Sequence, residues 1–261
     1  MRMETKGCPE APAMLFFPGM LCTAKSVWTF AQHMQTEGYY LLPTLSGHYA
    51  DSPDYLSKEA EAEAILQWLE EHGITRLKLV QGTSMGAEVA LEFYRQAQGR
   101  IQIDHCLFDG GPFFHFPWLF RRMMEGKFRQ MAKMMQYDSA EEALAALRKI
   151  PVIRQIIGND GEKYLPMLRT MLLEKRSISK ATLHNVTETC YRYDLPAFGE
   201  AAQQRMLFLY SDDEPAYKSK KRLLQAYPHA AYRDVQGLGH CGWQTSDPET
   251  YAAMVDAYIR D

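Results

Sequence analysis

The chain carries no cysteine pair at metal-binding or redox spacing. Its five cysteines, Cys8, Cys22, Cys106, Cys190 and Cys241, are odd in number and widely scattered. That argues against a disulfide framework and against a structural zinc site. Neither sign of charge dominates: 29 Lys and Arg stand against 32 Asp and Glu, for a formal net charge of -3. With no long basic run, the electrostatic footprint of a nucleic-acid-binding protein is missing. The short cluster Lys218, Lys220, Lys221 and Arg222 reads as the solvated face of a helix. Long apolar runs are lacking as well. Met14 to Phe17 is far too short for a signal or membrane helix, so a cytoplasmic, reduced protein with no membrane span is expected. No internal repeat, low-complexity tract or flexible interdomain linker interrupts the pattern.

What is present is the balance of a globular domain with a sizeable core: 261 residues, 46% hydrophobic and 23% charged. Short apolar runs alternate with longer helical patterns, the signature of βα units and a mainly parallel sheet. The runs at 13–17, 39–42, 76–81, 103–108, 205–210 and 231–235 are the candidate strands. Between the second and third lies "SKEAEAEAILQWLEEHG", a helix pattern with Ser57 as cap, an apolar stripe at Ile65, Leu66, Trp68 and Leu69, and Gly73 at the C-cap position. Pro248 to Ile259 reads as a final helix capped by Asp247. From 112 to 202 the alternation stops. This stretch, rich in Met and aromatics, shows helical patterns only, and is expected to form a helical subdomain over one end of the sheet, with residues 1–111 and 203–261 as the core.

The segment "VQGTSMGAE" contains Gly82-Thr83-Ser84-Met85-Gly86, a G-x-S-x-G pattern. The strand Leu77 to Val80 runs straight into it and a helix pattern leaves it. Such a turn forces the serine into a strained backbone and exposes its hydroxyl, and glycines are needed where side chains would meet neighbouring backbone. A hydroxyl is a poor nucleophile without a base. Of eight histidines, His240 in "VQGLGHCGW" follows the last predicted strand, in a loop with glycines at 237, 239 and 242. His48 and His115 fall in loops that border the same region and are weaker candidates. The others, His33, His72, His105, His184 and His229, sit in helix-like or strand-adjacent contexts. The base needs a carboxylate to fix its tautomer, and "SDDEPAY" after the strand "RMLFLY" offers Asp212, Asp213 and Glu214.

These motifs, in this order, resemble the α/β-hydrolase superfamily over nearly the whole chain outside the helical stretch. "FFPGM" resembles the family's oxyanion loop, here Pro18-Gly19-Met20, with proline where a histidine is usual. "LLPTLSGHYADS" resembles the segment after the following strand, and the helical stretch falls where members carry a cap. The resemblance implies Ser84 as nucleophile, His240 as base and backbone amides of Met20 and Met85 as oxyanion donors. Aligning Ser211 with the glycine that precedes the family's acid selects Glu214, ahead of Pro215; starting from Tyr210 selects Asp213 instead. Glu214 is preferred, since the strand then ends naturally at Tyr210, and glutamate serves as the acid in some members. The first two strands of larger members are expected to be absent. The implied fold is α/β: a mainly parallel six-stranded sheet flanked by helices, with a helical cap.

The implied activity is that of a carboxylesterase-like serine hydrolase that needs no metal and no cofactor. Its partner is a small acyl substrate with an apolar portion. The run "FFHFPWLF" supplies Phe113, Phe114 and Trp118, which with Gly19 are expected to line the substrate pocket. The alternative for these aromatics is to anchor the cap to the sheet. Arg121, Arg122, Arg154, Arg169 and Arg176 are either contacts to an anionic substrate or surface charges. The same fold and residues also serve thioester hydrolysis, C–C bond hydrolysis and lyase chemistry, or a receptor that only binds a small ligand.

Overall fold

The computed structural model describes residues 1–151, 153–154, 161–174 and 176–260. Seven strands form one sheet: β1 (Arg2–Gly7), β2 (Ala13–Phe17), β3 (Tyr39–Thr44), β4 (Arg76–Thr83), β5 (Gln102–Asp109), β6 (Met206–Ser211) and β7 (Ala231–Val235). Their spatial order is β1-β3-β2-β4-β5-β6-β7, with β1 antiparallel to β3 and every other pairing parallel. The central strands are buried on both sides, as a covered parallel sheet requires, so their sequences read as unbroken apolar runs. Alternation is still visible within β2. Leu15 and Phe17 join the core under α2 (Lys58–Glu71) and α3 (Met85–Ala97), while Met14 and Phe16 face α1 (Ala24–Ala31) and the C-terminal helix Pro248–Tyr258.

β1 corrects the expected count of six. Its sequence, RMETKG, alternates charged Arg2, Glu4 and Lys6 with Met3 and Thr5, and it is half-buried to exposed along its length. A short, charged edge strand is how a sheet avoids pairing with other chains, and it carries none of the apolar density by which the other six announce themselves. One strand therefore precedes Ala13, where none was expected.

Between β5 and β6 the described residues form α4 (Trp118–Ala132), α5 (Ala140–Leu147), α6 (Leu165–Leu172) and α7 (Lys180–Tyr191), together with shorter turns. Residues 152, 155–160 and 175 of this helical stretch lie outside the described residues. Because β2, β4, β5, β6 and β7 run parallel, the loops that leave them, beginning at Pro18, Ser84, Gly110, Asp212 and Gln236, all open at one edge of the sheet, where ligands of open α/β sheets bind.

Glu88, one turn beyond Ser84 on α3, is fully buried. Burial holds its carboxyl well above the ordinary carboxylate range, outweighing the Lys58 charge and contacts from the Cys190 thiol and the Phe113 backbone. The unfolded chain therefore loses this proton at lower pH than the folded chain. Stability falls as pH rises above the ordinary glutamate value, by up to about 1.4 kcal/mol per pH unit. Glu88→Gln should flatten this slope. Urea midpoints taken from about pH 5 to about pH 7 should fall more steeply for the wild type than for the variant.

Candidate active site

The turn after β4 is held in an unusual conformation by backbone contacts. Ser84 has φ +55° and ψ -124°, a region that a residue with a Cβ occupies only when its surroundings impose it. A Cβ on Gly82 would stand 2.4 Å from the Gly86 carbonyl oxygen, and one on Gly86 would stand 2.4 Å from that of Phe17. Both glycines are thus required by space. The Ser84 amide donates to the carbonyl of Asp109 at 2.8 Å, tying the turn to the end of β5.

His240 arrives on a loop that bends through positive φ at Gly237, Gly239 and Cys241. Three consecutive acids at the end of β6 receive this loop. Asp212 accepts the Gly237 amide at 2.9 Å, Asp213 accepts the Gly239 amide at 2.8 Å, and Glu214 Oε2 lies 2.5 Å from His240 Nδ1. The Ser211 hydroxyl accepts the Leu238 amide and donates to Asp213. Glu214 is itself oriented by the Ser211 amide at 2.8 Å, and its side chain is fully buried. On the other side of the ring, Nε2 lies 2.8 Å from Ser84 Oγ. Glu214, His240 and Ser84 are therefore hydrogen-bonded in series, and Asp213 is not part of the series.

Burial alone would lower the basicity of His240. The hydrogen bond and charge of Glu214 outweigh it, Asp109 adds to them, and the net shift is upward. Asp109 was not singled out by the sequence. It is buried at the end of β5, accepts a hydrogen bond from Gln244 at 3.0 Å, and is pushed up to about 7 by burial and by the charge of Glu214. Cys241 Sγ lies 3.8 Å from Nε2, but burial and the Asp109 charge hold its thiol well above the usual range. At neutral pH it stays protonated.

Ser84 and His240 open onto a cavity of about 180 Å³. Gly19 and Met20 border it on the sheet side. Its far wall is α4 to α6 and the turns around them: Met131, Met134, Leu144, Leu147, Ile153, Tyr164, Met167, Leu168 and Met171. Apart from His240, no residue of charged type among the described residues lines it.

Of the residues expected to bind substrate, Gly19 and Phe114 line this cavity, whereas Phe113 and Trp118 do not. Phe113 is fully buried at φ +33° and packs edge-on against Phe108, Tyr193 and Phe208, anchoring the stretch to the sheet. Trp118, at the start of α4, is 64% exposed. Met85 is buried as the first residue of α3, so its amide sits at that helix's N-terminus. His48 is buried, bonded to the Ser46 carbonyl, and pushed down to about 4 by burial. His115 pairs with Asp194 at the surface. None of the five arginines lines the cavity: Arg121 pairs with Glu188, Arg169 with Glu141, and Arg176 with backbone carbonyls.

No protein-family model and no curated protein matches the chain. Solved structures match it throughout. A protein of the alpha/beta hydrolase family from Desulfitobacterium hafniense shares 20% identity, with 99% of this chain and 100% of that chain covered at a TM-score of 0.77. A thermophilic esterase from Thermogutta terrifontis shares 15% over 99% of this chain and 92% of its own, at 0.72. The esterase EaEST from Exiguobacterium antarcticum shares 12% over 99% and 95%, also at 0.72. The chain has the α/β-hydrolase fold. No helix among the described residues is long and apolar enough to cross a membrane.

The contacts at Gly86 generate a test. Gly86→Ala should lower the urea midpoint by an amount corresponding to about 1–3 kcal/mol or more, because backbone must move to admit the methyl group. Gly126→Ala, in α4 where an added Cβ meets nothing within 4 Å, should raise it by about 1 kcal/mol.

Proposed function

We propose that the protein is a serine hydrolase that cleaves a carboxylic ester with an uncharged, apolar portion through an acyl-enzyme on Ser84. The observation that carries this reading is the series Glu214–His240–Ser84 at the mouth of an apolar cavity. His240 takes the Ser84 proton as Oγ attacks the ester carbonyl, and Glu214 holds the tautomer and stabilises the imidazolium. The tetrahedral oxyanion is received by the amides of Met20 and Met85, the latter aided by the N-terminus of α3. Loss of one such donor costs about 3–4 kcal/mol of transition-state stabilisation. His240 then protonates the leaving alcohol, and water cleaves the acyl-enzyme with the roles reversed.

The helical stretch 112–202 acts as a cap that supplies the cavity's far wall. At about 180 Å³ the cavity is slightly larger than the ~150 Å³ apolar cavity that accepts benzene. An aromatic ring or a chain of similar volume suits it, and the absence of cationic lining among the described residues disfavours an acyl group bearing a second carboxylate.

Fluorophosphonate should label the wild type and leave Ser84→Ala unlabelled; equal labelling of both sinks the reading. On p-nitrophenyl esters, Glu214→Gln should lower kcat by about 10²- to 10⁴-fold, as loss of a triad acid does. Asp213→Asn, which removes the charge but leaves the Glu214–His240 pair untouched, should cost no more than about tenfold. The reverse ranking would make Asp213 the acid. His240 must be neutral to act as base, and its basicity is raised. The acidic limb of kcat/KM should therefore have its midpoint above the ordinary histidine value of about 6.5, with activity rising with pH through it.

A further inference from the structure

The stretch around α6 does more than line the cavity. At its N-terminal end, Lys163 Nζ donates to the carbonyl of Leu238, and the Tyr164 hydroxyl donates to the carbonyl of His240 at 2.8 Å. At its C-terminal end, the buried guanidinium of Arg176 donates through Nη2 to the carbonyl of Leu21 at 2.8 Å. Leu21 follows Met20 directly and sits at φ +63°, a strained conformation for a leucine. Midway, Thr170 Oγ1 lies 2.9 Å from Ser26 Oγ on α1, the helix that leaves this same loop. Between these ties, Met167, Leu168 and Met171 present an apolar face to the cavity.

We propose that the residues from Lys163 to Glu174, together with Arg176, act as a clamp: Lys163 and Tyr164 at one end and Arg176 at the other fix the two loops that flank Ser84, the His240 loop and the Met20–Leu21 loop, in their working positions. The proposal rests on the serine-hydrolase reading above. The physical reason for a clamp is the composition of its targets. One loop carries glycines at 237 and 239 with positive φ, and the other holds a strained leucine, so neither is stiff on its own account. Each is held through a backbone carbonyl, which fixes the position of the chain itself. Tyr164 acts on the carbonyl of the very residue whose ring bridges Glu214 and Ser84. Lys163, Tyr164 and Arg176 are positioning residues, since none of these contacts reaches the reacting atoms. An apolar substrate group packed on α6 bears on both ends at once, so its binding energy is expressed in turnover as well as in affinity.

The test compares Tyr164→Phe, Lys163→Met and Arg176→Met with Arg169→Gln. Arg169 lies on the same helix, is paired at the surface with Glu141 and touches neither loop. With p-nitrophenyl hexanoate, Tyr164→Phe should lower kcat about three- to tenfold with KM within about twofold, the loss set by one neutral hydrogen bond. Arg176→Met should also act on kcat, and Arg169→Gln should leave both constants unchanged. A rise in KM at constant kcat in Tyr164→Phe and Arg176→Met overturns the proposal, because the stretch is then only a pocket wall. Amide hydrogen exchange supplies a readout independent of activity. Tyr164→Phe and Lys163→Met should speed exchange at 237–242 and leave 19–23 as in wild type, and Arg176→Met should do the reverse. Unchanged exchange in both loops overturns the clamp. A wild type that neither turns over esters nor labels with fluorophosphonate overturns the hydrolase reading instead, and the exchange pattern still decides the clamp.

Discussion

The backbone leaving β2 and the turn after β4 approach so closely that the Gly86 Cα faces the carbonyl oxygens of Phe17 and Pro18 with no room for a methyl group. That contact dictates much of what surrounds it. It places the loop beginning at Pro18 beside Ser84, and it forces the sharp passage from strand to helix that leaves Ser84 at φ +55°. α3 must start at Met85, so the helix N-terminus faces the cavity mouth. A strained residue persists only where its neighbours over-determine it. Here the neighbours are two glycines without side chains and a hydrogen bond to the end of β5.

Charge at the site is handled by partition. The carboxylates that face His240 are buried and bonded on the sheet side, while the described residues of the cavity wall opposite are nearly all apolar. Coulomb interactions near the imidazole are therefore little screened, and His240 is raised in basicity despite its burial. Asp109 bears the complementary consequence: buried, and near the Glu214 charge, its own ionisation is postponed to about 7. Methionines in the wall add volume without fixed shape, since an unbranched thioether adjusts to what it touches.

How much of this was legible in the sequence depended on how local each determinant is. The serine turn is encoded within five residues, because steric exclusion of side chains at Gly82 and Gly86 leaves a direct imprint on composition. The six apolar strands were equally plain. β1 was not, since an edge strand is built to look polar. The preference for Glu214 over Asp213 rested on ending β6 at Tyr210; the strand runs one residue further, to Ser211, and Glu214 is the acid that lies against His240 Nδ1. Within "FFHFPWLF" composition says nothing of direction: Phe113 turns into the core, Phe114 to the cavity, and Trp118 to solvent. Contacts such as Tyr164 to His240 or Arg176 to Leu21 span 76 and 155 positions and have no spacing signature at all.

The pairing of Asp212, Asp213 and Glu214 with Gly237, Gly239 and His240 also behaves as a reading frame between two loops distant in sequence. Adding or deleting one residue in either loop would slip the frame, presenting the imidazole with a side chain meant for a backbone amide. Point substitutions there touch single rungs, but length is shared by all of them. These two loops are thus free to vary in composition at several positions and are fixed in length relative to one another.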